Sequence, residues 1–239
     1  MRNTVEIIGS RHPVRESAVV MADIDLLNPW SVDRPDLEQF IADRYRQVYD
    51  ARLNHFLPLL MRVQINGRNL AALGLRPGCR GPMYLENYLD SPIEQAIAKH
   101  ARAPVQRASI VEVGNLVSAC PGSSQSLFLV MAAAVHKAGY RWMAFTATRQ
   151  VRKLLKRLNY HPILLERADA TCLGEDASRW GRYYETQPQV LAGGICAAME
   201  NMLGNAAMRS VLDRYQRRIG FLADRLKHQR HGYGNASEC

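Results

Sequence analysis

Apolar positions along the chain follow two rhythms, one of period 3.6 and one of period 2, and the changes between them outline the elements. The first helical rhythm opens at Asp33-Arg-Pro-Asp36, an Asx cap with an early proline, and continues through Leu37, Phe40, Ile41, Tyr45 and Val48. Two apolar runs, Leu59–Ile65 and Leu70–Leu75, flank Asn66-Gly67, the residue pair that best suits a two-residue hairpin turn, so an antiparallel pair is predicted there. Ser91-Pro-Ile-Glu94 reads as a capping box with proline at the first helical position, opening a helix that carries Ile93, Ala96 and Ile97.

The middle of the chain alternates strand and helix. A β-rich run from Ala108 to Val117 leads into the loop Pro121-Gly-Ser-Ser124. A helix follows that would bury Leu127, Phe128, Met131, Ala134, Val135 and Ala138 before Gly139 closes it. Next come a strand over Trp142–Thr148, a basic helix from Arg149 to Asn159 with Val151, Leu154, Leu155 and Leu158 facing inward, and a strand over Pro162–Leu165. That order predicts parallel neighbours joined by right-handed crossovers, and with the earlier hairpin a mixed sheet with helices packed on it. The small residues Leu191-Ala-Gly-Gly-Ile195 open the last segment. Met208, Leu212, Tyr215, Ile219, Leu222 and Leu226 then recur at spacings of 4, 3, 4, 3 and 4, a heptad rhythm that suits packing back onto the domain or a coiled-coil homodimer. The expected organisation is a mixed-sheet domain over residues 1–190 and a C-terminal helical extension over 191–239, its last ten or so residues a disordered tail.

With 239 residues, 47% hydrophobic and 22% charged, the composition is that of a packed globular chain and excludes wholesale disorder. The net charge of +9 favours acidic partners in general. Its distribution narrows this: residues 16–50 hold eight acidic and three basic residues, whereas 137–167 hold eight basic residues against Glu166 alone. Cys79, Cys120, Cys172, Cys196 and Cys239 are odd in number and never form CxxC, so reduced thiols in a cytoplasmic protein are expected, with no structural metal. The first ten residues hold no apolar stretch of signal-peptide length. Val113–Val135 carries no charge and is long enough to span a bilayer, but Ser118–Ser126 at its centre is turn chemistry, so strand, loop, helix is the reading.

No GxSxG, HExxH, Walker or GxGxxG motif occurs, and the seven histidines never approach metal-ligand spacing. A strand entering a small-residue loop and a helix N-terminus, as at 118–126, suits an anion because free amides and the helix dipole both favour negative charge; an ordinary βα junction has the same pattern.

Glu112-Val-Gly-Asn-Leu116, Phe145-Thr-Ala-Thr148, Trp180-Gly-Arg-Tyr-Tyr184 and Pro188-Gln-Val-Leu-Ala-Gly193, in this order and spacing, resemble the thermostable hemolysin family over most of residues 10–195. More distantly, Ile110–Leu165 resembles the acyl-CoA-binding core of GNAT acyltransferases and of acyl-homoserine-lactone autoinducer synthases. That resemblance implies a GNAT-like acyl-CoA N-acyltransferase fold with a bulged strand, pantetheine along a splayed strand pair and pyrophosphate on the following loop. It implies acyl transfer to the amine of a small-molecule acceptor, with an acyl-CoA or acyl carrier protein as cosubstrate and no permanently bound cofactor. Leu116, Val117, Ser118, Gly122, Ser123, Ser124, Gln125, Thr146, Thr148, Arg149 and Arg152 become the cosubstrate contacts, and Glu112 the general base or amine anchor. In a regular strand Glu112 and Asn115 point to opposite faces; the resemblance implies a bulge at Gly114, which would bring them to one face. For Glu112 the competing reading is a buried carboxylate paired with an arginine. Thr146 and Thr148 equally suit a plain strand. Trp180 and Tyr183 line an acceptor pocket or cover the sheet edge.

Two departures stand out. The GNAT phosphate loop usually carries Gln/Arg-x-x-Gly-x-Gly/Ala, against Cys120-Pro-Gly-Ser-Ser-Gln125 here. Where that family often has Asn, Tyr seven residues on, then Gly-Phe, this sequence has Thr148, Leu155 and Asn159-Tyr160. Leu155 cannot protonate a departing thiolate, which leaves Tyr183 or Tyr184 for that step; autoinducer synthases lack the tyrosine too, which leans towards a carrier-protein donor. The alternative function is membrane activity, as the family name implies, through the basic C-terminal helix, which has seven Lys/Arg against three acids from residue 207 onward. The basic helix 149–157 lacks interleaved aromatics, so nothing beyond nonspecific attraction to nucleic acid is supported.

Overall fold

The computed structural model describes residues 22–120 and 122–231, so the tail expected at the C-terminus lies mostly outside the described residues. Seven strands form one mixed sheet: β1 (Asp23–Leu27), β2 (Leu59–Ile65), β3 (Arg68–Pro77), β4 (Ile110–Ser118), β5 (Trp142–Ala147), β6 (Ile163–Arg167) and β7 (Gln189–Gly194), in the order β1-β2-β3-β4-β5-β7-β6. The β2–β3 hairpin turns at Asn66 and Gly67, both at positive φ (50° and 75°), the conformation that this residue pair tolerates and a type I′ turn needs. β4 and β5 are the parallel pair, joined through α3 (Ser123–Lys137).

Helices cover both faces. On one lie α3, α4 (Arg149–Arg157), α5 (Ile195–Gly204), α6 (Ala206–Arg214) and α7 (Gln216–His231), whose apolar side chains join Val111, Val113 and Phe145 in the largest core cluster. On the other lie α1 (Arg34–Tyr49) and α2 (Ile93–Ala101), with short 3₁₀ turns at Tyr84–Tyr88 and over 170–186. The two clusters on that second face divide it into an α2 half around Ile110 and an α1 half around Val117.

Three expectations are corrected. β5 and β6 are not neighbours: β7 inserts between them, antiparallel to both. The small residues explain this, because a Cβ on Gly193 would stand 2.3 Å from the Tyr160 hydroxyl, so only glycine lets the strand slide beneath that ring. β7 also crosses the boundary placed at 190/191. The two predicted caps do not form either. Asp33 Oδ2 is taken by Arg62 (2.5 Å). Glu94 pairs with Arg107 (2.8 Å), while the Ile93 N–H donates to Glu86 (2.9 Å). In both, an arginine outcompetes the helix terminus for the carboxylate. The heptad stripe does pack back onto the domain, in two helices broken at Tyr215: Met208, Leu212, Ile219, Leu222 and Leu226 are all buried in the core against α3.

Candidate active site

β4 changes partner halfway along. Val111 to Val113 pair with β3 on one side and with β5 on the other, but the β5 ladder ends at Val113–Phe145. Beyond it β5 continues along β7 to Ala147 while β4 continues along β3 to Ser118, so the two strands part like a fork. The predicted bulge sits at the crotch. Register runs Gly74–Gly114 and then Ala72–Val117, so Asn115 and Leu116 together oppose Leu73. Asn115 is the extra residue, in the left-handed region (φ 49°) that asparagine tolerates. Its side chain therefore swings to the Glu112 face: Asn115 Oδ1 lies 2.7 Å from where a Cβ on Gly74 would be, and Gly74 and Arg76 share that face with Glu112.

A cavity of about 280 Å³ fills the fork and passes through the sheet. One end is walled by Phe128, Phe145, Val151 and Leu154 from the α3 side, the other by Tyr45, Tyr49, Trp180 and Tyr183 from the α1 side. A strap over residues 51–57 closes it in front, pinned where the Leu57 N–H donates to Asn115 Oδ1 (2.9 Å). The Trp180-Gly-Arg segment is docked on the C-terminus of α1. The Arg182 N–H donates to Tyr49 O (2.7 Å) and the Arg52 N–H to Arg179 O (2.6 Å), and a Cβ on Gly181 (φ 50°) would stand 2.3 Å from Tyr49 O. Glycine is needed there for a close approach at positive φ.

Glu112 stands at the inner end with its side chain 5% exposed. Its oxygens accept from the Tyr84 N–H (3.1 Å) and the Leu85 N–H (2.9 Å), and Arg76 Nε lies 3.6 Å away. Burial pushes this carboxyl above its ordinary value, against the pull of those two N–H groups and of Arg76. The carboxylate thus ties the 84–88 turn to the sheet, next to an arginine, and also forms part of the cavity wall.

The fork gathers most of the residues singled out by sequence. Glu112, Asn115, Leu116, Val117, Ser118, Ser124, Thr146, Thr148, Trp180 and Tyr183 line the cavity. Gly122, Ser123, Gln125, Arg149 and Arg152 do not: the Ser123 hydroxyl is spent on Leu70 O and Cys120 O within the loop, and Arg152 donates to Gln187 O (3.0 Å). Tyr184 is also outside, its hydroxyl 2.6 Å from that of Tyr88, which does line the cavity. Leu155 is buried in the core, as a residue with no part in proton transfer should be.

Sequence reasoning missed Arg44, Tyr49 and Tyr88. Arg44 donates to Ser118 O (2.9 Å), which sets a guanidinium at the start of the small-residue loop. The signal was present, since Arg44, Tyr45 and Tyr49 stand within six residues on one helix, but nothing local says that α1 crosses the end of β4. The concentration of charge in 137–167 proves to be divided: Lys137 and Arg141 sit at the far end of α3 and β5, away from the loop. Among the described residues no helix is long and apolar enough to cross a membrane, and no three His, Cys, Asp or Glu side chains are grouped to hold a metal ion.

The thermostable hemolysin family matches residues 27–199. No curated protein sequence matches the chain. Among solved structures, the fold is similar to that of a CoA-dependent acyl-homoserine lactone synthase, BjaI, determined with SAM and isopentyl-CoA: 12% identity, 84% of this chain and 90% of that chain covered, TM-score 0.52. The same synthase with MTA gives 0.50 at 12% identity and the same coverage. An N-acyl amino acid synthase from uncultured soil microbes, FeeM, gives 0.47 at 8% identity over 73% of this chain and 91% of that chain. The chain has the GNAT-like acyltransferase fold.

Proposed function

The chain belongs to the thermostable hemolysin family, and from that premise and the open fork in its sheet we propose that it moves an acyl group from a CoA or acyl-carrier-protein thioester to the amine of a small molecule. The observation that carries this reading is the parting of β4 from β5 at Val113–Phe145, with a cavity through the gap. A pantetheine arm is an extended chain with two amides and suits a strand whose own amides lack a neighbour. In this reading it lies along Leu116–Ser118, with its phosphate end towards the 118–124 loop and Arg44. The acyl chain enters between Phe128, Phe145, Val151 and Leu154.

The amine approaches from the Tyr45–Trp180 side. Its nitrogen attacks the thioester carbonyl, the β4 amides steady the oxyanion, and the Glu112 carboxylate, made more basic by its burial, takes the proton from nitrogen. Collapse breaks the C–S bond and releases the thiolate. Tyr49 on α1 offers a hydroxyl on the cavity wall for protonating that thiolate; Tyr184 reaches the cavity only through Tyr88. The location that supplies such thioesters is the cytoplasm.

Membrane lysis through the C-terminal helices has no specific observation in its favour, because the apolar stripe of α6 and α7 is occupied by the core. The deciding experiment is calorimetric titration with CoA, an acyl-CoA and an acyl-pantetheine, beside lysis of anionic vesicles, for wild type and Glu112→Gln. Thioester binding that survives in Glu112→Gln while amide formation is lost supports acyl transfer. Vesicle lysis without thioester binding overturns it.

A further inference from the structure

At the opposite end of β5 from the cavity, three side chains meet that play no part in acyl transfer. Cys196 sits in the first turn of α5, exposed to solvent. Its Sγ lies 3.8 Å from His136 Nε2, on the last turn of α3, and accepts from Arg141 Nη1 at 3.7 Å. Arg141 is held in place through its backbone: the Ile195 N–H donates to Arg141 O (2.9 Å), and the Arg141 N–H donates to Ser109 O (2.8 Å). The grouping thus joins a nucleophile, a base within reach of its proton, a cation and the positive dipole end of a ten-residue helix. His136 is placed to take the thiol proton and Arg141 to attract an anionic partner, and solvent access lets the sulfur react. Cys120 and Cys172 are exposed as well, without the His136 and Arg141 contacts that Cys196 makes.

We propose that Cys196 is a modification site: a reactive thiol, activated by His136 and Arg141, that undergoes exchange with small anionic disulfides. The step balances without further reagents. His136 accepts the thiol proton, the thiolate attacks one sulfur of the disulfide, a new S–S bond forms as the old one breaks, and the departing thiolate takes the proton back. Arg141, with Lys137 beside His136, selects for carboxylate-bearing disulfides over cationic ones, and salt weakens that selection. Glu200, one turn along α5, is the acid on the same helix that works against it.

The test uses the whole protein and two probes, the dianionic 5,5′-dithiobis(2-nitrobenzoate) and the cationic cystamine, with each cysteine followed by peptide mass spectrometry. Because the base and the cation stand beside its sulfur, Cys196 is expected to react with the anionic probe about tenfold faster than Cys120 and Cys172. His136→Gln and Arg141→Gln, both at exposed side chains, should each slow Cys196 at least threefold while leaving Cys120 and Cys172 unchanged. Arg141→Gln should also reduce the preference for the anionic probe. A Cys196 rate less than threefold above those of the other two thiols overturns the proposal, as does a rate that neither variant changes.

Discussion

The two halves of β4 are built from similar residues and behave as different structures. From Val111 to Val113 the strand is paired on both sides and its side chains are buried on both faces. From Gly114 to Ser118 it keeps β3, loses β5, takes a bulge and lines a cavity. The first half supplies stability. The second leaves backbone polar groups unpaired with a strand neighbour, which a folded protein keeps only where water or a ligand satisfies them. A site is thus recognisable here by where the regular ladder stops.

The largest expected effect separates the halves by stability. Phe145 ends the paired half, buried against Phe128 and Tyr160 at ring distances of 6.1 and 6.0 Å. Phe145→Ala should cost about 3–5 kcal/mol in chemical denaturation, whereas Leu116→Ala in the open half should cost about 1 kcal/mol. Equal losses would show that the open half is packed as tightly as the closed one. Next comes Gly74→Val, whose Cβ would stand 2.7 Å from Asn115 Oδ1 and 2.8 Å from Leu57 Cβ. It should cost about 1–3 kcal/mol by overpacking and abolish acyl-pantetheine binding in calorimetry, because the strap and the bulge must move apart. Unchanged binding would remove the bulge from the site.

How far the sequence carried this account depends on the range of each signal. Asn66-Gly67, the charge-free run 113–135 and the heptad stripe are local, and each specified its element correctly. Asn115 could be placed on the Glu112 face only through the bulge that the resemblance implied, since the period of a regular strand sets the two residues on opposite faces. β7 was not legible, since its place is decided by the fit of Gly193 under Tyr160, a contact across 33 residues. Arg44 and Tyr49 were hidden for the same reason. Tyr184 looked equivalent to Tyr183 by adjacency, but successive residues in a 3₁₀ turn point in different directions, so only Tyr183 faces the cavity.

A smaller effect is read in pH. Glu112 lies above its ordinary value of 4.5, so it contributes most to stability below that pH and the contribution is lost as pH rises through its folded value. Glu86 is the opposite case. Burial pushes it up, but hydrogen bonds from Arg107, the Ile93 N–H and the Met83 N–H pull it down to about 2, so its contribution is present above 4.5 and lost as pH falls towards 2. In denaturation across pH, the stability of wild type relative to Glu112→Gln should decline above pH 4.5, while that relative to Glu86→Gln should decline below it. The same sign for both would contradict the assigned environments. The smallest effect concerns the phosphate end: Arg44→Gln should weaken CoA binding roughly fivefold, as loss of one charge-assisted hydrogen bond, and Arg149→Gln by less than about twofold. The reverse order would move the phosphate from the loop to α4.

Hydrogen exchange at residue resolution, with and without an acyl-pantetheine, compares the two halves of β4 in one measurement. New protection is expected at Leu116 and Ser118 and none at Val111 to Val113, which are already paired on both sides. Protection that leaves Leu116 and Ser118 unchanged while ligand is bound would contradict the account.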